Sequence, residues 1–107
     1  MLIIVELLMK NSKVEINILD VCGYTPFHYA CSRGFFEIVQ ILINHPRIKI
    51  NTYNILNKTP FYYVCSHGYF VIVQLLINDS RTNINAYDII KWTPFHCVCR
   101  KEYNDIK

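Results

Sequence analysis

Three stretches of the chain spell nearly the same word: TPFHYAC from Thr25, TPFYYVC from Thr59 and TPFHCVC from Thr93, each 34 residues after the last. A period of this length is the signature of a stacked-repeat architecture, in which one unit cannot bury its apolar face until a neighbour covers it. The register extends outward. FFEIVQILIN at Phe35 returns as YFVIVQLLIN at Tyr69, and Asn17, Asn51 and Asn85 share one position, as do Asp20, Asn54 and Asp88. One period upstream, IVQILIN falls on IVELLMK, Ile4 to Lys10. The apolar start of the chain, which lacks a preceding basic residue and is interrupted by Glu6, is therefore a repeat segment rather than a secretion signal.

Each unit reads as two short helices and a loop. Thr25, Thr59 and Thr93 suit an N-cap, because a threonine hydroxyl accepts from the free N–H groups of a first turn. Pro26, Pro60 and Pro94 follow at the first helical position, where a missing N–H costs nothing. Gly34 and Gly68 fit the left-handed residue that ends such a helix. The second helix is rich in Ile, Val and Leu on most faces and is expected to be covered on more than one side. The alternating stretches IKINTYN and TNINAYD predict the arms of a hairpin. Gly23, Asn57 and Lys91 share the hairpin position that most needs φ > 0, which Gly suits, Asn tolerates and Lys fits poorly.

The repeated Thr-Pro-Phe-His/Tyr core, the Gly34 and Gly68 stops, the Ile-Val-Gln helices and the Asn before each hairpin resemble ankyrin repeats. The resemblance implies an all-α repeat solenoid with a helix-turn-helix and hairpin loop per unit. The units divide as a partial repeat over 1–16, repeats over 17–50 and 51–84, and a truncated repeat over 85–107. The last unit places Glu102 at the Gly34 and Gly68 position, and the chain stops at the start of its second helix.

His96, Cys97 and Cys99 invite a zinc or thiol reading. In register, however, His96 corresponds to His28 and Tyr62, and a metal ligand has no reason to become tyrosine in an equivalent copy. Three ligands from one short helix also cannot close a tetrahedron. The resemblance implies instead that the histidine bridges neighbouring hairpins and that Cys31, Cys65 and Cys99 fill a small-residue slot between inner helices. A metal or redox role is the minor alternative. Five cysteines without a secretion signal suit a reduced interior, the cytoplasm first and the nucleus second. Neither a phosphate loop nor a nucleophile elbow is present, so no enzyme activity and no cofactor are expected.

The resemblance places partner binding on hairpin tips and inner-helix surfaces. The tip positions are Val21, Cys22 and Tyr24; Ile55, Leu56 and Lys58; Ile89, Ile90 and Trp92. Leu19, Tyr53 and Tyr87 precede them. Ser32 and Arg33, Ser66 and His67, and Arg100 and Lys101 lie at the variable end of the inner helix. Turn tips usually carry Asn, Asp, Gly or Ser, so aligned Val, Ile and Leu there form either a docking stripe or a row folded back on the next tip. The expected function is a non-enzymatic module that binds a partner protein, or a regulatory or targeting part of a larger enzyme or channel. A formal charge of +3, without a long Lys/Arg run, gives no nucleic-acid expectation, and no stretch is long enough to insert in a membrane. A first helix carrying Ile3, Ile4, Leu7 and Leu8 and a last unit without its outer helix lead to an expectation of head-to-tail self-association.

Overall fold

A computed structural model describes residues 2–106, with side chains through Glu102. Among the described residues six helices follow one another: α1 Leu2–Met9, α2 Pro26–Arg33, α3 Phe36–Ile43, α4 Pro60–His67, α5 Phe70–Ile77 and α6 Pro94–Ile106. They form two rows. The inner row sets α2 against α4 and α4 against α6, the outer row sets α1 against α3 and α3 against α5, and tight turns join α2 to α3 and α4 to α5. The body is elongated, 48 × 25 × 24 Å, as expected for units that touch only their neighbours.

Local chemistry explains the helix ends. The Thr25 and Thr59 hydroxyls accept from the amides of His28 and Tyr62, at 3.1 and 3.2 Å. Gly34 and Gly68 take φ of 71°, the left-handed residue at which each inner helix ends before the outer helix begins. Phe27, Cys31, Val39 and Val64 are fully out of solvent and join Phe61, Ile72 and Leu76 in one core between the rows.

The repeats are tied together by side chains as well as by burial. Asn17 donates to the Arg47 carbonyl (2.8 Å) and accepts from the Lys49 amide (2.9 Å). One period later Asn51 does the same with Arg81 and Asn83, at 2.7 and 2.8 Å. Each asparagine therefore holds the connector that leads into the next unit.

The loops are consistent with the hairpin expectation: among the described residues no strand forms, but each loop closes on a cross-loop backbone bond, Asp20 to Tyr24, Asn54 to Lys58 and Asp88 to Trp92. Three other expectations need correction. The outer helix α5 packs against α3 and α4 but is less fully covered than its apolar sequence suggested, and Phe70, Val71 and Ile77 stand exposed. With Glu102 in place of a left-handed glycine, nothing stops the last inner helix, and α6 runs through that position to Ile106. Cys99, placed by register in the packed slot, is exposed, since the described residues set no further inner helix against it.

Candidate functional site

The loop tips are built by one acceptor each. Oδ1 of Asp20 accepts from the amides of Cys22 and Tyr24, both at 2.9 Å. Asn54 serves Leu56 and Lys58 (3.0 and 2.9 Å), and Asp88 serves Ile90 and Trp92 (3.0 and 2.9 Å). The residue before the last of these amides is the one that turns the chain through the left-handed region. Gly23, Asn57 and Lys91 indeed take φ of 80°, 60° and 66°. The tips are then strung together, the Ile55 amide donating to the Cys22 carbonyl (3.0 Å) and the Ile89 amide to the Leu56 carbonyl (3.2 Å).

That arrangement uses the backbone and leaves the side chains outside. Val21 is 95% exposed, and Ile55, Ile89 and Ile90 are each about two-thirds exposed, with Leu56 the least so. Cys22 is also exposed. Leu19, Tyr53 and Tyr87 stand half-exposed beside them.

Where a tip meets the inner helices, the two junctions between successive units differ. At the first, between α2 and α4, His28 is fully buried. The Thr25 amide donates to its Nδ1 (3.1 Å), which leaves Nε2 to donate to the Lys58 carbonyl of the next loop (3.0 Å). Burial holds the imidazole below the ordinary histidine range. Beside it Tyr24 and Tyr63 share a hydroxyl–hydroxyl bond of 2.6 Å, and Asn54 donates to the Tyr63 hydroxyl (2.8 Å). Burial pushes the Tyr63 phenol upward. Tyr29, at the same repeat position, donates to Oδ2 of Asp20, which holds that carboxyl below the usual range.

At the second junction, between α4 and α6, Tyr62 takes the histidine position and Cys97 the position of Tyr29 and Tyr63. A thiol fills much less space than a phenol. The result is a groove of about 450 Å³ lined by Lys58, Tyr62, Ser66, Asp88, Ile90, Trp92, Cys97, Arg100 and Lys101. Burial, followed by hydrogen bonding with Cys97, pushes the Tyr62 phenol upward. The Lys58 ammonium stands over the Tyr62 ring, 5.0 Å from its centre, and the Arg100 guanidinium over the Trp92 ring at 5.4 Å. The Lys101 ammonium donates to the Ser66 carbonyl at 3.4 Å.

Six sequence candidates thus meet in one groove: Lys58, Ser66, Ile90, Trp92, Arg100 and Lys101. The others lie elsewhere. Val21, Cys22, Ile55, Leu56 and Ile89 continue the tip row, and Tyr24 belongs to the aromatic cluster of the first junction. Ser32 donates to the Tyr29 carbonyl (3.1 Å) beside exposed Arg33, and His67 stacks on Tyr69 at 5.2 Å. Tyr62, Asp88 and Cys97 shape the groove without having been partner-binding candidates. Of these, Cys97 carried a signal, a break in register that puts a cysteine where the other units carry tyrosine.

His96, Cys97 and Cys99 do not converge. His96 turns Nδ1 back to the Thr93 hydroxyl (2.7 Å), Cys97 faces Tyr62, and Cys99 is exposed. Burial pushes the Cys65 thiol up to about 12 and the Cys31 thiol further in the same direction, so both remain protonated and behave as small apolar groups. Among the described residues no three His, Cys, Asp or Glu side chains cluster to hold a metal ion, and no helix is long and apolar enough to cross a membrane.

A model of the ankyrin-repeat family matches residues 2–88 in three copies. No curated protein matches the chain.

Proposed function

The chain belongs to the ankyrin-repeat family, whose members are generally protein-interaction modules, and on that premise we propose that it is a non-enzymatic module that binds a partner protein through its loop tips and the adjoining inner-helix face. The observation that carries this is the tip row. Val21, Ile55, Ile89 and Ile90 are held in solvent by tips whose backbones are already bonded to one another. Full burial of one such side chain contributes about 1.5–3 kcal/mol, and a rigid row of them next to Tyr, Trp and Arg has the composition of an interaction hot spot. The same surface serves a free-standing module or a targeting part of a larger protein. Changing Ile55, Leu56, Ile89 and Ile90 together to Ser is expected to leave helical circular dichroism intact and to abolish recovery of the partner in affinity purification. Cooperative loss of helix in that variant would place these side chains in the core and overturn the reading.

A second reading concerns self-association. Ile3, Ile4, Leu7 and Leu8 of α1 are each more than half exposed. An apolar face of this kind supports head-to-tail contact between copies, which sedimentation of the 107-residue chain against a chain with α1 changed to polar residues on that face resolves.

A further inference from the structure

The groove of the second junction differs from the tip row in being charged and in having an empty centre. At the first junction the space in front of the inner helices is occupied by Tyr63, which spans to Tyr24. At the second the equivalent residue is Cys97, and the space is open. Its rim carries three cations, Lys58, Arg100 and Lys101, whose counterparts one period earlier are Tyr24, Ser66 and His67. The change from one junction to the next therefore removes a ring and adds positive charge at the same place. Asp88 is the only carboxylate in the lining; it is 4% exposed and its Oδ1 already accepts two backbone amides.

We propose that this groove binds an acidic peptide segment of a partner protein, with one aromatic side chain of that segment entering the space beside Cys97. This rests on the protein-binding role proposed above and names the chemistry of the partner. The ring of the ligand takes the place that Tyr63 fills in the neighbouring junction, against Tyr62 and the indole of Trp92. Flanking carboxylates meet Arg100 and Lys101 on one wall and Lys58 on the other. Arg100 is already fixed over an indole, so less of its freedom is lost when it pairs with a planar carboxylate. Ile90, two-thirds exposed on the lip, offers an apolar contact that a nucleic acid does not exploit. Three of the chain's eleven Lys and Arg residues meet at this groove, and the sequence has no long basic run of the kind that tracks a phosphate backbone, which further favours a short acidic peptide.

The test uses a short fluorescent peptide of Glu and Asp around a central Phe, measured by anisotropy against the full chain. Two control peptides replace the Phe by Ala or all acids by Lys. The acidic Phe peptide is expected to bind best and to weaken as salt rises. Charge reversal of Arg100 and Lys101 to Glu, both exposed, is expected to cost about tenfold or more in affinity, and Cys97→Tyr is expected to remove the preference for Phe over Ala. Lys13→Gln, an exposed cation outside the groove lining, is expected to change nothing. Equal binding of the Lys peptide, indifference to the Arg100 and Lys101 reversal, or displacement of the peptide by a single-stranded oligonucleotide at equal charge would each overturn the proposal. If the acidic peptide fails to bind while the tip variant still loses its partner, the groove assignment falls and the broader docking role stands.

Discussion

At the junction of α2 with α4, His28 is out of solvent and ties its own cap to the next loop, while Tyr63 closes the space in front. At the junction of α4 with α6, Tyr62 and Cys97 hold the same two positions. No ring nitrogen crosses to the Trp92 carbonyl, and the space stays open. One backbone plan thus supports a packed joint and a cleft, and two side chains per unit decide which. A repeat stack can therefore carry a binding groove without altering its framework, because the caps, the left-handed residues and the core positions lie outside those two places.

The comparison is sharpest at the phenylalanine of the repeated motif. Phe27 is fully buried and Phe61 nearly so, whereas Phe95 is 74% exposed. Phe27→Ala is expected to cost about 3–5 kcal/mol, through lost burial and the cavity left behind. Phe95→Ala is expected to stay within about 0.5 kcal/mol of the parent. Urea unfolding of the two variants measures both. Comparable losses would mean that α6 is as firmly packed as α2, and the contrast between the joints would fail.

The histidines give the next step down. His28→Ala removes a buried ring that links two loops and is expected to cost about 2 kcal/mol or somewhat more. His96→Ala removes only a contact within its own cap and is expected to cost about 1 kcal/mol or less. The pH dependence has a definite sign. Burial depresses the folded pKa of His28 below its ordinary value of 6.5, so the unfolded chain takes up the proton first. The contribution is present above that value and is lost as pH falls below it. The melting temperature of the parent is therefore expected to drop on acidification from about pH 6.5 towards 5, and His28→Gln is expected to remove part of that slope. A slope unchanged by the substitution would show that His28 does not titrate against folding.

The repeat, the caps and the turns were readable from residues alone because each is decided within a few positions. Thr25 caps with its own hydroxyl, Gly34 supplies its own left-handed φ, and Asp88 builds the tip around Lys91 whatever lies beyond. What failed to show is decided between units. The groove depends on Cys97 facing Tyr62 of the preceding inner helix, 35 positions earlier, and only comparison of the repeats in register, not any local pattern, marks the missing ring. Coverage of α5 and burial of Cys99 depend likewise on which helix stands beside them, so an apolar α5 and a cysteine in the slot register overstated both. The candidate list read from the tips and inner-helix ends reached six residues of the groove because tips and inner helices converge there, although nothing in their spacing separated those six from the other twelve.

The smallest effect concerns the tip residue with positive φ, and it runs in opposite directions at the two ends of the row. Lys91 holds φ of 66°, a conformation that costs an ordinary residue about 1 kcal/mol relative to glycine. It persists because the Asp88 carboxylate accepts the amides on either side, at Ile90 and Trp92. Its ammonium stands 5.5 Å from the centre of the Tyr87 ring, an exposed contact that returns only a fraction of that cost. Lys91→Gly is therefore expected to raise stability, by less than about 1 kcal/mol, since the added freedom of glycine in the unfolded chain takes back part of the gain. At the other end Gly23 takes φ of 80°, and a Cβ there would lie 3.0 Å from the Cα of Asn54 in the next loop. Gly23→Ala adds steric contact to the backbone cost and is expected to lose about 1–2 kcal/mol. Thermal melts of the two single variants check both signs. If Lys91→Gly is destabilising, the lysine is held by more than its turn, and the last tip is as tightly engaged as the first.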